Sequence, residues 1–326
     1  YIMQQIMHIQ IVRTCLVAAA LSFIAGFPNT LHAQPPGPGV LGAGSTGPFI
    51  YGISADWPFY RSQLIRFIPT GPMNSNDHIQ GQNPITGIYS LVENVKGICQ
   101  VTNTGTSADG KYYVTTGVFN DDPYFDGQLF EIDPTSSAAN ILGPPLAAAP
   151  GTIRDICFIG TFTGISAGIY GLRGGIELVR FNFTGGVFSP PVSIGFFTAN
   201  LPAGFLARGL TWTLCNGVPE LRITATGPSN LIKHYTCNPN TAALSYIGDI
   251  LPSAPAVFTQ ANCGAGWVAS SNELWVNGTD PTNTFIFYKF SQNLVPSWCP
   301  GNIPSVTAAN IPYSGRNIED FCTELY

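Results

Sequence analysis

A short apolar stretch with one small residue at a fixed place recurs five times in this chain, and it limits the fold more than any other feature. It reads Lys96-Gly-Ile-Cys99, Arg154-Asp-Ile-Cys157, Arg208-Gly-Leu-Thr211, Gln260-Ala-Asn-Cys263 and Glu319-Asp-Phe-Cys322. The last positions lie 58, 54, 52 and 59 residues apart (157 − 99, 211 − 157, 263 − 211, 322 − 263). Each of the first four copies is followed by a second apolar run: Tyr112 to Gly117, Gly168 to Leu172, Leu221 to Thr226 and Glu273 to Asn277. Phe49 to Ala55 is the matching run near the start. A third run carries a charge among apolar neighbours, at Arg66, Glu131, Arg180, Lys233 and Lys289. A weaker fourth run follows a turn, as in Asn140-Ile-Leu-Gly or Ser245-Tyr-Ile-Gly.

Four strands in a repeat of roughly 40 to 60 residues is the period of a propeller blade. Third runs that are nearly continuous in apolar residues fit sheets packed on both faces. The final stretch, Asn317 to Tyr326, is a first strand with nothing after it, while the folded part opens with three strands that lack such a leader. The two ends are therefore expected to complete one sheet, which protects an otherwise open seam. The expected fold is all-β: a five-bladed β-propeller of four antiparallel strands per blade, closed by the C-terminal strand pairing with the N-terminal blade. Composition agrees. Gly 36 and Pro 27 in 326 residues imply many turns, and stretches suited to helix are almost absent. A net charge of −5 gives nucleic acid no hold.

The run Gln128-Leu-Phe-Glu-Ile-Asp-Pro-Thr, with Ile141-Leu-Gly-Pro after it, resembles the repeats of a group of secreted bacterial β-propeller proteins. Their blades read Leu-Tyr-x-Ile-Asp-Pro-x-Thr-Gly and then a short strand ending in Gly. The likeness covers most of Phe49 to Tyr326 and is sharp in the second blade; Arg66-Phe-Ile-Pro and Lys233-His-Tyr-Thr lack the Asp. It implies the fold and export, and little about activity.

Residues 1–33 read as a secretory signal, with Met7 as a plausible start and Tyr1 consistent with a truncated or mis-called reading frame. Arg13 supplies charge, Cys15 to Phe27 is apolar but short for a membrane span, and Ala33 precedes Gln34. The alternative is a retained hydrophobic arm, which would matter for assembly and is the one expected route to a membrane. Residues 34–47 form a Pro/Gly-rich linker, and residues 48–326 the propeller. The linker holds a formal GxGxxG, Gly37 to Gly42, without the strand and helix that a nucleotide site needs. Of eight cysteines, Cys15 leaves with the signal; Cys215 and Cys237 share a repeat and are the best disulfide pair, and Cys299 has no obvious partner.

The residues three before the Cys/Thr position are Lys96, Arg154, Arg208, Gln260 and Glu319, and they should ring one mouth of the central channel. Three cations and a carboxylate suit an anion or a polar ligand; the competing reading is a ring of blade-to-blade salt bridges with Asp155, Glu319 and Asp320. Loops on a rigid scaffold carry function, and the neighbouring loops add Trp57 and Tyr60, and Tyr124 among Asp121, Asp122 and Asp126. Aromatic rings beside carboxylates suit a sugar, although they could equally seal blade edges. Asp121, Asp122 and Asp126 are also a weak Ca²⁺ set without EF-hand spacing. Otherwise no cofactor is indicated. The small-residue ring of Cys99, Cys157, Thr211, Cys263 and Cys322 reads as inner-strand packing and not as a soft-metal site. Gly164-Ile-Ser166-Ala-Gly168 matches GxSxG, but a strand and not a helix should follow it. Asn182 and Asn277 open formal glycosylation sequons.

These features point to a secreted or cell-surface, non-catalytic module that binds a ligand such as a glycan, or another surface protein, or that self-assembles. The alternative is an extracellular glycan-active hydrolase or lyase using Asp155, Glu319, Asp320, Asp56 or Asp122, and carboxylates beside Arg or Lys are poor general acids.

Overall fold

A computed structural model describes residues 50–56, 61–67, 79–85, 95–102, 104–117, 127–134, 136–142, 151–197, 200–215, 218–228, 231–250, 265–268, 273–279, 285–291, 310–313 and 317–323. Among them every regular element is a strand. In order these are β1 (Ile50–Asp56), β2 (Arg61–Phe67), β3 (Ile79–Pro84), β4 (Val95–Gln100), β5 (Tyr112–Thr116), β6 (Leu129–Ile132) and β7 (Ala139–Ile141). Then come β8 (Ile153–Ile159), β9 (Gly168–Arg173), β10 (Glu177–Thr184), β11 (Val187–Phe196), β12 (Leu206–Cys215), β13 (Val218–Thr226), β14 (Ile232–Cys237) and β15 (Leu244–Ile250). The last are β16 (Ala265–Val268), β17 (Glu273–Thr279), β18 (Phe285–Ser291), β19 (Asn310–Tyr313) and β20 (Asn317–Thr323).

The strands form four-stranded antiparallel sheets in the orders β20-β1-β2-β3, β4-β5-β6-β7, β8-β9-β10-β11, β12-β13-β14-β15 and β16-β17-β18-β19, here called the first to the fifth sheet. In the first sheet Gly52 lies opposite Phe321 and Tyr51 opposite Cys322. The fifth sheet departs from the expected frame: its first strand is β16, and Gln260 and Cys263 lie outside the described residues.

Turn chemistry fixes the hairpins. Asp109 accepts hydrogen bonds from the Thr104 and Gly105 backbone N–H groups at 2.7 and 2.8 Å, tying the β4–β5 turn. Gly185 and Gly186, at φ +61° and +86°, supply the two left-handed residues that a two-residue turn between β10 and β11 requires. The turns after β6 and β14 share one design. In Asp133-Pro-Thr-Ser-Ser137 and Asn238-Pro-Asn-Thr-Ala242 the fifth amide donates back to the first carbonyl, and the fifth residue has φ near +58°. The Pro turn expected only after β6 thus recurs after β14, with Asn238 in place of Asp.

Because side chains alternate across a strand, the second and third sheets each offer one face to the sheet before and one to the sheet after. Tyr51, Ile53 and Leu64 of the first sheet cluster with Ile98, Val114 and Phe130 of the second. Cys99, Tyr113 and Leu129 on the other face of the second sheet pack on Ile156, Ile169 and Phe181 of the third. Cys157, Tyr170 and Leu178 on the far face of the third pack on Leu210, Ile223 and Tyr235 of the fourth. Each fully buried aromatic of this kind contributes roughly 1.5–3 kcal/mol. Inner strands approach closely: a Cβ on Gly97 of β4 would meet Thr115 Oγ1 at 2.6 Å and the Asp155 amide nitrogen of β8 at 3.3 Å.

Candidate functional site

Each well-paired first strand slips register once, and the slip skips a single residue: Lys96 in β4, Asp155 in β8, Arg208 in β12 and Glu319 in β20. A bulge bends the strand and re-aims its side chain, so four charged residues occupy equivalent places. The frame read from the sequence put Arg154 in this set. The register instead pairs Arg154 with Leu172 and gives the bulge to Asp155, because the slip in β8 falls one residue nearer its Cys. The row therefore holds two cations and two carboxylates, and not three cations and one.

Asp155 is also the strained member, at φ +31°. It is buried, and its Oδ2 accepts a 2.7 Å hydrogen bond from the Leu210 amide of β12. This stitches the third sheet to the fourth at the level of the bulges. Neighbouring seams have analogous stitches: Thr115 Oγ1 donates to the Ile153 carbonyl at 3.0 Å, and the Val95 amide donates to Ser62 Oγ at 2.9 Å. Lys96, Arg154 and Arg208 are half-buried. Trp57, Tyr60, Tyr124, Asp121, Asp122, Asp126 and Gln260 lie outside the described residues, so of the predicted site the structure aligns Lys96, Arg208 and Glu319, exchanges Arg154 for Asp155, and leaves the rest aside. Among the described residues no group of three His, Cys, Asp or Glu could hold a metal ion.

A second row, one step outward, explains the recurring small residue. Cys99 faces Tyr113, which faces Glu131; Cys157 faces Tyr170, which faces Arg180; Cys322 faces Tyr51, which faces Arg66. In the fifth sheet the same places fall to Gly266, Trp275 and Lys289. Counted through Gly266 the spacings are 58, 54, 55 and 56 (157 − 99, 211 − 157, 266 − 211, 322 − 266), and Cys263 lies outside the described residues. Cys99 and Cys157 are buried inside the apolar clusters and form no disulfide, in keeping with packing. Tyr170 donates to the Ser166 carbonyl at 2.9 Å, and burial pushes its phenol up although the Arg180 guanidinium pulls it down. Burial, with the charge of Glu131, likewise raises the Tyr113 phenol.

The fourth sheet breaks this row. Its members are Thr211, Arg222 and Thr236. Lys233, assigned to this row from sequence, instead lies opposite Ala225 on the other face. There its Nζ meets Asp249 Oδ1 at 2.7 Å and sits 4.9 Å from the Tyr246 ring and 5.5 Å from the Phe205 ring. Alternation then places Thr211, Arg222, Thr224 and His234 on one face, and all four are buried. The Arg222 side chain is 3% exposed; its Nη2 donates to Glu220 Oε2 at 3.2 Å, while its Nε and Nη1 have no hydrogen-bond partner among the described residues. Burial lowers the Arg222 pKa despite the Glu220 carboxylate. His234 is pulled down to about 3, by burial first and the Arg222 charge second, so it is neutral at pH 7. The sequence carries a signal for this face: Leu221-Arg-Ile-Thr-Ala-Thr226 alternates strictly, which the other second strands do not.

Three further expectations meet the geometry. Cys237 is a buried free thiol, pushed up to about 12 by burial, and it lies opposite Leu221 of β13, while Cys215 sits two strands away on β12. Strands two places apart are roughly 9.5 Å distant, too far for a bridge, so the Cys215–Cys237 disulfide is wrong. Ser166 is exposed just before β9, with no helix after it. Asp155, one of the carboxylates considered for hydrolysis, is buried and bonded to a backbone amide.

No family model matches the chain, and no curated protein matches it. Among solved structures it is similar to a Bacteroides uniformis protein provisionally described as a 6-phosphogluconolactonase (TM-score 0.38, 12% identity, 80% of this chain and 68% of that one). A Bacteroides fragilis protein with the same provisional description matches at TM-score 0.35 and 9% identity, over 86% of this chain and 99% of that one. A periplasmic gluconolactonase of Pseudomonas aeruginosa matches at TM-score 0.31 and 9% identity, over 83% and 98%. Likeness at this level does not bear on activity.

Proposed function

We propose that residues 48–326 form an exported five-bladed β-propeller that binds a neutral, hydroxyl-rich ligand, a glycan, at one mouth of its central channel without turning it over. Two observations support the architecture. β20 completes the sheet of β1 to β3. First strands also touch in a cycle, β20 to β4, β4 to β8, β8 to β12, β12 to β16 and β16 back to β20. The observation that carries the function is the bulge row. Lys96, Asp155, Arg208 and Glu319 hold matching register places on adjoining first strands, which supports a mixed set of cations and carboxylates near one end of the axis. Two of each sign balance, which favours hydroxyls over a strong anion; charged hydrogen bonds to a neutral partner contribute roughly 1.5–3 kcal/mol each. Export rests on the N-terminal segment of Arg13 and the apolar Cys15 to Phe27 run, and on the resemblance to secreted propeller repeats. The hydrolytic alternative has lost Asp155 to the Leu210 amide and would rest on Glu319 and Asp320.

A glycan array, followed by calorimetry on Lys96→Ala and Arg208→Ala, tests the reading. The expected result is binding by the parent chain, at least tenfold weaker in each variant, with no product from any glycan bound. Binding untouched by both substitutions would remove the ligand from this mouth. Turnover that disappears in Asp320→Asn would make the protein an enzyme.

A further inference from the structure

Arg222 stands where the first, second and third sheets carry a tyrosine and the fifth a tryptophan. A guanidinium that is 3% exposed and has two nitrogens unmatched among the described residues is costly, since each buried donor has given up water without gaining a partner. A native fold resolves such a group with a bound water, an ion or a ligand. Its one partner among the described residues, Glu220, is 24% exposed and reaches a single Nη2 at 3.2 Å.

The surroundings select the occupant. Thr211 lies directly opposite Arg222, and Thr224 lies two residues along the same strand on the same face. His234, opposite Thr224, is fully buried and uncharged at neutral pH, so it adds a polar ring without a second cation. None of these side chains brings a negative charge. The inner strand of this sheet, β12, lies against β16, so the row is set in the seam towards the fifth sheet. A planar fork of N–H donors beside hydroxyls is the arrangement that recognises carboxylate and phosphate oxygens.

We propose that Arg222 anchors a small oxyanion, a carboxylate or a phosphate group, in the seam between the fourth and fifth sheets, with the Thr211 and Thr224 hydroxyls beside it. The site is separate from the bulge row and stands whether or not that row binds a glycan.

The full chain, labelled with ¹⁵N, would be titrated with sodium phosphate and separately with sodium acetate at constant ionic strength, with chloride as control. The readout is the Arg222 Nε–H resonance, assigned by its loss in Arg222→Lys, or through side-chain-correlated spectra if that variant does not fold. A saturable shift with one anion assigns the site to that chemistry, and with both to an unselective oxyanion site. Thr211→Val should weaken the binding several-fold. A resonance that neither anion moves beyond the chloride control overturns the proposal, leaving Arg222 to water or to the protein itself.

Discussion

The seam between the second and third sheets and the far face of the fourth sheet are built from the same repeat positions, yet they are held in opposite ways. In the first, Cys99 and Tyr113 meet Ile156, Ile169 and Phe181 in an apolar cluster crossed by one hydroxyl–carbonyl stitch. In the second, Thr211 and Arg222 take the Cys and Tyr places, and Thr224 and His234 extend the polarity. Shape complementarity secures the apolar seam, and any loss of volume there is felt directly. The polar face gains little from desolvation and depends on satisfied donors. A repeat can thus keep its backbone while one copy gives up packing for chemistry.

The contrast is sharpest in truncations. Tyr170→Ala, in a fully buried apolar position, should cost about 4 kcal/mol in denaturant unfolding. Arg222→Met should stay within about 1 kcal/mol of the parent, or gain, because a buried charge with one weak partner stabilises little. Equal losses in the two variants would erase the distinction between the seams.

Acid should probe the polar face next. The folded pKa of His234, about 3, lies below its ordinary 6.5, so between these values the unfolded chain binds a proton that the folded chain does not. Stability is therefore complete above pH 6.5 and falls as pH drops towards 3, by a few kcal/mol in all, given about 1.4 kcal/mol per unit. His234→Asn should flatten the slope between pH 6.5 and 5.5, above the range in which the unfolded-state carboxylates of Glu177 and Asp249, at 4.5 and 3.8, take up protons. An unchanged slope would show that His234 is not the group responsible.

The smallest effect belongs to a turn on the apolar side. Ser137 has φ +58° and a buried Oγ without a hydrogen-bond partner among the described residues. Glycine removes both costs, so Ser137→Gly should gain about 1 kcal/mol, read as a raised denaturant midpoint. A loss would mean that the hydroxyl is bonded after all.

The strands of the second and third sheets were legible because their apolar runs and turn residues agree with one another. Errors came where sequence landmarks slid against register. A charged third-strand residue suggested Lys233, but the Pro turn at Asn238-Pro239 ends the strand later and puts Thr236 in the row. A cysteine suggested position 263, which lies outside the described residues, while Gly266 is the residue that lies opposite Trp275. In β8 the bulge moved by one residue and exchanged Arg154 for Asp155, a shift that leaves no trace in residue type. The Arg222 face was written in plain alternation. Such alternation ordinarily marks a side turned to water, so burial of the polar half emerged only from the packing.

The seams from the second sheet to the third and from the third to the fourth join first-strand positions 58 and 54 residues apart, Cys99 to Cys157 (157 − 99) and Cys157 to Thr211 (211 − 157). On a ribosome adding roughly 5–20 residues per second, a newly made sheet waits on the order of 3 to 10 s for the partner that covers it. Throughout that interval Tyr113 and Leu129, or Tyr170 and Leu178, stand bare to whatever else is nearby. The hydroxyls and the imidazole on the outer side of the fourth sheet tolerate the same wait in water at no cost.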